Sequence, residues 1–543
     1  MKGKAAIAEI LRMEGIEFIT CFPYNTIIDA VAEEGIRTIL ARTERVAVGI
    51  ADGFTRASNG QRTGVCIMQC GPGSENAFAG VAHAFADSVP ILALPGGYER
   101  RMLVAPQFSA LQNYREITKW VDTINFADRV PEMMRLAFSY LRNGRPGPVM
   151  LELPEDVAEE EFDDAIFQYS PVKGAKTAGD PADVREVAKA LIAAKNPVIR
   201  AGQGVLYARA WDELRELAEL LQIPVYTTMC GKSAFPENHP LSLGTGGLTR
   251  TKMVIHFQNK ADLVFAIGSS CTKEEYTTPI PEGKLIMQST IDERDINKCY
   301  PVERAIIGDA KLVLSQLIDE VKKQTGSGGR KGNDAVAREV KAVKDEWLKE
   351  WMPKLTSDEV PINPYRVIWD LMQVLDRKQT IITHDAGGPR DQVLPFYESL
   401  IPRGYIGWGK TTTLGAGLAF AMGAKLARPD KTCVNFMGDA AFGMVGMDFE
   451  TAVRQRIPIL TILLNNSKLG GYVNLLPIAS ERYGLNILSG DYSKIAEGCG
   501  GYTERIEQPK DIIPAIQRAK KANDSGKAAL LEIITREELA ASR

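Results

Sequence analysis

The sequence predicts an α/β protein built from three doubly wound parallel-sheet domains. Short apolar runs alternate with amphipathic stretches along nearly all of its 543 residues, which is the pattern of parallel sheets covered by helices on both faces. Two segments without strong periodicity, 170–181 and 325–333, are rich in glycine, lysine and other small or polar residues, as linkers are. The predicted domains are therefore 1–170, 180–323 and 360–543.

Twelve short apolar runs are the strand candidates, four in each domain. Each one is bounded by turn residues or by a helical stretch. In the first domain they are 17–21, 64–69, 91–94 and 149–153; in the second 197–201, 224–228, 263–268 and 285–288; in the third 380–383, 432–437, 459–464 and 530–534.

Composition excludes several broad classes of protein. The chain carries 65 lysines and arginines against 68 acidic residues, a net charge of −3, so it is not a broadly basic nucleic-acid binder. No window approaches the ~18 apolar residues of a membrane span, and an acidic residue interrupts the N-terminus early, so neither an anchor nor a secretory leader is expected. The eight cysteines form no CxxC pair, as in a reduced cytoplasmic protein.

The clearest chemical signal lies in the third domain, at the ends of two neighbouring strand candidates. Gly438-Asp439-Ala440-Ala441 follows the first of these strands, and Asn466 follows the next. Open α/β sheets bind ligands at the carboxyl ends of their strands. A carboxylate and an amide oxygen suit Mg²⁺, and small residues let main-chain N–H groups approach a diphosphate. The alternative is a tight strand–helix turn followed by an unrelated turn.

With these two elements in the last of three α/β domains, the chain resembles the thiamine diphosphate enzymes, in particular their acetolactate synthase-like branch, over nearly its whole length. The resemblance implies a pyrimidine-binding first domain, a Rossmann-like central domain and a diphosphate-binding third domain. It also implies that Asp439, Asn466 and the main-chain carbonyl of Lys468 hold Mg²⁺ against thiamine diphosphate. Ala440 departs from the family's glycine at this turn and fits if its φ stays negative.

A second element, residues 42–56, resembles the strand-to-helix turn of this family, in which a glutamate precedes a helix of small residues. The resemblance implies that Glu44 is the catalytic residue. It would hydrogen-bond N1′ of the aminopyrimidine and favour the imino tautomer that deprotonates C2. The alternative is a solvated glutamate at a helix start, stabilised by the helix dipole.

Two loops resemble the segments that approach the cofactor in this family. Gly71-Pro72-Gly73 follows a strand candidate and opens a helix, although such a tripeptide alone marks any turn. In the third domain, the resemblance implies that Leu414 separates the two cofactor rings and that the Thr412 carbonyl accepts a hydrogen bond from the 4′-amino group. The alternative for Leu414 is ordinary core packing.

The sequence marks the substrate pocket less clearly than the cofactor site. Asn25 lies where the family places a pocket residue, and an amide in a helix-capping turn is an equal alternative. Gln112 and Tyr472 lie in regions that shape the pocket of acetolactate synthases, where this sequence departs from their pattern. The resemblance implies a C–C bond lyase or carboligase acting on a 2-oxo acid or related acyl donor. A decarboxylase or acyl-CoA lyase without carboligation stays open.

The central domain contains Gly202-Gln203-Gly204 but no complete GxGxxG motif, which is a weak dinucleotide signal. In relatives this domain binds FAD or ADP or is empty. A bound nucleotide therefore stays open, as do two functions of other classes, a flavin-dependent oxidoreductase and a non-catalytic scaffold.

Glu44 and Asp439 lie in different predicted domains. The resemblance implies that the first domain of one chain faces the third domain of another. The expected active unit is thus a homodimer, the expected assembly a cytoplasmic homotetramer, and the expected partners small molecules rather than nucleic acid or membrane.

Overall fold

The computed structural model describes residues 1–102, 107–326, 328–330, 334–411 and 413–543. It contains three six-stranded parallel sheets with flanking helices, which confirms the predicted α/β fold class. The sheets lie within 18–154, 197–307 and 380–534, while the domain limits themselves stay a prediction. Thr412 lies outside the described residues. No helix within the described ranges is long and apolar enough to cross a membrane.

The first sheet consists of β1 (Phe18–Phe22), β2 (Arg37–Leu40), β3 (Val65–Met68), β4 (Leu92–Gly97), β5 (Trp120–Thr123) and β6 (Val149–Pro154). Its helices are α1 (Gly3–Met13), α2 (Ile27–Glu33), α3 (Glu44–Ala57), α4 (Pro72–Ala86), α5 (Ala110–Asn113), α6 (Val130–Arg142) and α7 (Glu155–Glu159). The strand order is β2-β1-β3-β4-β6-β5.

The second sheet consists of β7 (Pro197–Ala201), β8 (Val225–Thr228), β9 (Ser242–Gly246), β10 (Leu263–Ile267), β11 (Leu285–Thr290) and β12 (Arg304–Ile307). Its helices are α8 (Pro181–Ala193), α9 (Gln203–Ala208), α10 (Trp211–Leu221), α11 (Lys252–Lys260) and α12 (Ala310–Thr325). The strand order is β12-β11-β10-β7-β8-β9, so the winding direction reverses between β10 and β7.

The third sheet follows the long helix α13 (Ala335–Leu355) and consists of β13 (Thr380–His384), β14 (Tyr405–Ile406), β15 (Thr432–Gly438), β16 (Leu460–Asn465), β17 (Tyr502–Ile506) and β18 (Ala529–Ile534). Its helices are α14 (Pro364–Val374), α15 (Gly388–Phe396), α16 (Ala416–Ala427), α17 (Asp439–Val445), α18 (Phe449–Arg454), α19 (Tyr472–Leu475), α20 (Pro477–Tyr483), α21 (Tyr492–Gly498) and α22 (Ile512–Asp524). The strand order is β14-β13-β15-β16-β18-β17.

Twelve of these strands coincide with the predicted apolar runs. The six strands without a predicted counterpart are the edge strands of the three sheets: β2, β5, β9, β12, β14 and β17. An edge strand pairs on one side only, so it need not carry the continuous apolar run of a central strand. β2 and β12 each bury one residue of four, and β14 has only two residues.

Helices α3 and α16 join the first domain to the third within one chain. Glycines let the two helices approach closely. A β-carbon at Gly53 would lie 2.6 Å from the main chain of Phe420, and one at Gly423 would lie 2.2 Å from the carbonyl oxygen of Ile50. The helix that begins at Glu44 is thereby held in a fixed relation to the third domain.

Candidate active site

Glu44 is the first residue of α3 and is almost fully buried, with 3% of its surface exposed. The helix begins there because the Thr43 side chain accepts a hydrogen bond from the main-chain N–H of Val46. Burial raises the pKa of Glu44, and hydrogen bonds from its own main chain and from the Asn76 side chain partly oppose that rise. The carboxyl group is therefore not the solvated one of the alternative interpretation, and it is poised to hold a proton more readily than an exposed glutamate.

The Gly71-Pro72-Gly73 loop lies directly against Glu44. It follows β3 and opens α4. Gly71 has φ +62°, and a β-carbon there would lie 2.3 Å from the Tyr98 hydroxyl oxygen. One at Gly73 would lie 3.4 Å from Glu44 Oε1. A β-carbon at Gly73 would also lie 2.9 Å from Gln69 Cβ. Both glycines are thus required by space, and Gly71 also by its left-handed backbone conformation.

Asn25 is buried beside the start of this loop. Its Nδ2 donates to the Met68 carbonyl oxygen at 2.9 Å, and its Oδ1 accepts from the main-chain N–H of Ile27 at 3.0 Å. A β-carbon at Gly96 would lie 3.3 Å from both the Asn25 Nδ2 and the main-chain nitrogen of Cys70. In this structure the amide thus bonds to main-chain groups at both ends, including one at the start of α2.

The other two predicted pocket residues lie at the surface of the single chain. Gln112 is exposed on the one-turn helix α5. Tyr472 begins α19 and is also exposed. No hydrogen bond joins either side chain to Glu44 or Asp439 within the described part of the molecule.

Asp439 lies at the junction of β15 and α17 and is 3% exposed. Its Oδ1 accepts from the main-chain N–H of Ala440 at 2.8 Å, whereas its buried Oδ2 has no hydrogen-bond partner. Burial raises the pKa of Asp439, and the hydrogen bond from the Ala440 N–H, together with the nearby main-chain N–H groups of Ser467 and Lys468, opposes that rise. The carboxylate therefore lies against the segment that follows β16.

That segment contains the other two predicted metal ligands. Asn466 Oδ1 accepts from the main-chain N–H of Lys468 at 3.0 Å, which folds the segment into a tight turn. The structure brings this turn to Asp439 because β15 and β16 are neighbours in the sheet, with Gly438 paired to Leu464.

The oxygen atoms of Asp439, Asn466 and Lys468 are suitable ligands for a hard divalent cation. The unpartnered Oδ2 of Asp439 is a buried acceptor, which normally requires a partner. An amide oxygen and a main-chain carbonyl would complete the protein's share of the coordination sphere, and Mg²⁺ commonly takes its remaining ligands from phosphate and water. Elsewhere, no group of three or more histidine, cysteine or acidic residues could hold a metal within the ranges described.

The turn around Asp439 leaves room on its open side. A β-carbon at Gly438 would meet nothing nearer than 3.8 Å. Ala440 lies within α17 and is not among the residues with positive φ, so alanine is accommodated at the turn where the resemblance implies a glycine. Ala441 is buried in the core behind the turn.

Leu414 is half-buried against the core of the third domain, in the loop that leads into α16. Asp385 holds this loop: its carboxylate accepts from the main-chain N–H groups of Gly415 at 3.0 Å and Gly417 at 3.1 Å. Gly415 has φ +95°, and a β-carbon there would lie 2.5 Å from Val445 Cγ1. Sequence alone does not reveal this role of Asp385, because an aspartate after a strand carries no indication of which distant N–H groups it binds.

A buried ionic bridge ties the preceding segment to the first domain. Asp87 accepts from the main-chain N–H groups of Gly409 at 3.1 Å and Lys410 at 3.2 Å, and from Arg56 Nη1 at 3.1 Å. Arg56 Nη1 also donates to the Gly407 carbonyl oxygen at 3.0 Å. Burial by itself would raise the pKa of Asp87, but Arg56, His83 and Lys410 together outweigh it and hold that pKa well below its usual range. Arg56 lies on the same helix as Glu44.

A cavity of about 470 Å³ opens between the central domain and its neighbours. Gly202 and Gly268 line it where the strand order reverses, the usual ligand position of a doubly wound sheet. A β-carbon at Gly202 would lie 2.2 Å from the Gly268 carbonyl oxygen. Asp87 of the first domain and Lys410 of the third also line the cavity.

Comparisons with known proteins agree with this architecture. Three family models match: the N-terminal TPP binding domain of thiamine pyrophosphate enzymes over 1–118, their central domain over 184–317 and their C-terminal TPP binding domain over 385–533. The chain is 34% identical to the "Probable acetolactate synthase large subunit" of Methanocaldococcus jannaschii, covering 98% of this chain and 92% of that protein. It is 30% identical to the glyoxylate carboligase of Escherichia coli O157:H7, covering 96% and 90%. The benzoylformate decarboxylase structure from Polynucleobacter necessarius covers 100% of both chains at 20% identity, with a TM-score of 0.83.

Proposed function

This chain belongs to the thiamine pyrophosphate enzyme family, and we propose that with Mg²⁺ it cleaves or forms a C–C bond beside the carbonyl of a 2-oxo acid or related acyl donor. It is an acetolactate synthase-like lyase or transferase. The single observation that carries the proposal is the buried carboxyl group of Glu44 against the Gly71–Gly73 turn. When bound, thiamine diphosphate supplies a nucleophilic carbon and an electron sink for the bond cleavage.

Glu44 is the proposed catalytic residue, and its task is to hold a proton at N1′ of the aminopyrimidine ring. A buried site strengthens that hydrogen bond because water does not compete for it. The raised pKa of Glu44 brings the carboxyl group nearer to the point where it can share a proton at neutral pH. The Gly71-Pro72-Gly73 turn is proposed to lie beside the ring, because Gly73 adds no side chain next to the Glu44 carboxyl group.

The third domain supplies the groups proposed to hold the other end of the cofactor. Asp439 Oδ2, the Asn466 amide oxygen and the Lys468 carbonyl would bind Mg²⁺. Gly438 and Ala440 would leave the diphosphate room at the strand–helix turn, with Ala441 packed behind it. Leu414 is proposed to lie between the two cofactor rings. The Thr412 carbonyl, outside the described residues, is proposed to accept from the 4′-amino group.

Carboligation is favoured over simple decarboxylation by the names of the relatives, an acetolactate synthase and a glyoxylate carboligase. A benzoylformate decarboxylase shares the fold alone. Asn25, Gln112 and Tyr472 are the proposed pocket residues. A decarboxylase or lyase that releases its product without a second carbonyl compound is the alternative.

A homodimer is the proposed active unit, and a homotetramer is the proposed assembly. The segment after Asn466 carries a run of solvent-exposed apolar side chains, among them Ile478 at 65% and Tyr483 at 81% exposure. A patch of this kind next to a proposed metal site is typical of a surface covered by another subunit. The first domain of a second copy would cover it and bring its own Glu44 to the metal ligands. The proposed compartment is the cytoplasm.

The central cavity is proposed to bind a nucleotide, either FAD or ADP. Its volume of about 470 Å³ is within the range of small-molecule sites, and glycines line it at the strand ends. A flavin would give the purified protein a yellow colour and an absorbance band, whereas ADP would not.

The test is a mass-spectrometric screen of the purified enzyme with thiamine diphosphate and Mg²⁺. Single 2-oxo acids, pairs of a 2-oxo acid with a second carbonyl compound, and acyl-CoA thioesters form the three arms. Coupled products in the second arm support carboligation, and aldehydes or CO₂ alone support the alternative. Turnover in all arms without added thiamine diphosphate, after exhaustive dialysis, would overturn the proposal.

A further inference from the structure

Arg200 is a buried cation in the wall of the central cavity. It lies in β7, has 3% of its surface exposed and lines the cavity. Its Nη1 donates to the Thr278 carbonyl oxygen at 3.0 Å, whereas its buried Nε has no hydrogen-bond partner. Its neighbours are the side chains of Tyr226, Cys271 and Tyr300. In the part of the chain that the structure describes, no carboxylate pairs with this guanidinium.

Two other cations that line the cavity are paired with carboxylates, whereas Arg209 is exposed at its rim. Arg145 Nη1 lies 2.9 Å from Asp295 Oδ1, and Lys176 Nζ lies 3.2 Å from Asp309 Oδ2. Arg200 has no such pairing. Lys410, which reaches the cavity from the third domain, also has no ion-pair partner among the described residues.

A charge buried without a partner strongly destabilises a fold, so buried charges are normally paired. Nothing among the described residues around Arg200 supplies the missing counter-charge, and the cavity beside it is large enough for a small molecule. The planar fork of a guanidinium matches the oxygens of a phosphate or a carboxylate.

We propose that Arg200 is the anion-binding group of the central cavity, and that the cavity takes a small ligand whose phosphate or carboxylate oxygens bind this guanidinium. Lys410 provides a second positive charge from the third-domain wall of the cavity. This inference deepens the nucleotide proposal above and rests on it only for the nucleoside part of the ligand.

The experiment measures ligand binding by calorimetry on holoenzyme saturated with thiamine diphosphate and Mg²⁺, so that the diphosphate site is filled. The probes are ADP, pyrophosphate and succinate, with adenosine as the neutral counterpart of ADP. The variant is Arg200→Gln. The matched control is Arg209→Gln, which removes the same charge from an exposed arginine at the rim of the cavity.

We expect at least one anion to bind the unmodified enzyme, and Arg200→Gln to weaken it about tenfold or more. Arg209→Gln is expected to change the affinity for that anion less than twofold. The affinity for adenosine is expected to be the same with and without Arg200. If pyrophosphate or succinate binds and ADP does not, and if that binding depends on Arg200 in the same way, the result supports the anion site. The same result contradicts the nucleotide proposal. Absence of binding by every anion, or an equal loss in both variants, overturns the inference.

Circular dichroism shows whether Arg200→Gln folds. If it does not fold, Arg200→Lys is tested instead. Lysine keeps the positive charge but lacks the planar guanidinium, so it is expected to weaken anion binding by a smaller factor. Competition in the unmodified enzyme gives an independent result. Pyrophosphate is expected to displace ADP, and simultaneous binding of the two would contradict a single anion site at Arg200.

Discussion

The carboxylate of Asp87 accepts a hydrogen bond from the main-chain N–H of Gly409, with 3.1 Å between Oδ2 and the nitrogen, across the contact of the first domain with the third. The bond holds the segment that leads to Leu414. Because Arg56 pairs with the same carboxylate and lies on the helix of Glu44, one buried bridge within the chain connects that helix to the segment that leads to Leu414.

Asp87→Asn is expected to weaken thiamine diphosphate binding at least about tenfold, because Arg56 loses a charged partner and the segment loses an acceptor. Cofactor titration, followed by activity and by fluorescence quenching, measures the change. Glu237→Gln is the matched control. Glu237 is also buried and accepts from the main-chain N–H of Ser399 at 2.7 Å, at another domain contact. Equal losses of cofactor affinity in both variants would show that Asp87 acts through general stability only.

Glu44→Gln is expected to slow hydrogen–deuterium exchange at C2 of bound thiamine diphosphate by about 10² or more, because amide cannot share the proton at N1′. Cofactor affinity should change only a few-fold. Rapid-quench NMR measures the exchange, and Glu75→Gln, an exposed glutamate in the first turn of α4, is the control. Unchanged exchange in Glu44→Gln would falsify the catalytic assignment.

Asp439→Asn is expected to raise the Mg²⁺ concentration for half-maximal activity about tenfold or more, since a neutral oxygen replaces the only carboxylate in the predicted ligand set. Dialysis against a chelator should remove the activity, and added Mg²⁺ should restore it. Asp430→Asn, an exposed aspartate paired with Arg428, should behave as the unmodified enzyme. An identical Mg²⁺ requirement in all three proteins would contradict the proposed site.

Gly53→Ala is expected to lower the free energy of unfolding by about 1–3 kcal/mol, because the new β-carbon would lie 2.6 Å from the main chain of Phe420. Gly443→Ala, at a helical glycine with no atom within 4 Å of an added β-carbon, should be neutral or stabilise by up to about 1 kcal/mol. Thermal unfolding compares the two. A Gly53→Ala variant as stable as Gly443→Ala would mean that α3 and α16 adjust freely.

Stability should fall as the pH falls below about 6.5, in part through His384. Burial lowers the pKa of His384 to about 3, so between this pH and about 6.5 the imidazole is neutral in the folded protein and protonated in the unfolded chain. This contribution is present above the unfolded pKa and is lost as the pH falls toward the folded one, by about 1.4 kcal/mol per pH unit. His384→Gln should flatten the dependence of Tm on pH between 6.5 and 4. His256→Gln, at an exposed histidine, should leave it as steep; parallel curves for all three proteins would exclude His384 as the cause.

The central strands of all three sheets could be predicted from the sequence, because burial on both faces forces continuous apolar runs such as 459–464. The edge strands could not be predicted, because most residues of a strand such as β2 are exposed or half-buried and therefore form no continuous apolar run. The same contrast holds at the site. Glu44 and Asp439 stand in local motifs that the sequence displays.

Asp87 and Asp385, in contrast, act on main-chain groups of segments hundreds or tens of residues away. A bond to a main-chain N–H leaves no trace in the identity of the residue that donates it. The role of Arg200 could not be predicted for a related reason. The sequence shows an arginine inside an apolar strand, but only the structure shows that no carboxylate among the described residues pairs with it.

The cavity walls come from all three domains, with Asp87 from the first, Gly202 from the second and Lys410 from the third. A ligand bound in the cavity therefore contacts all three domains, and its binding stabilises their packing against one another rather than one domain alone. Saturating ligand should therefore raise the melting temperature of the three domains together. The calorimetric trace would then report occupancy without any measurement of catalysis.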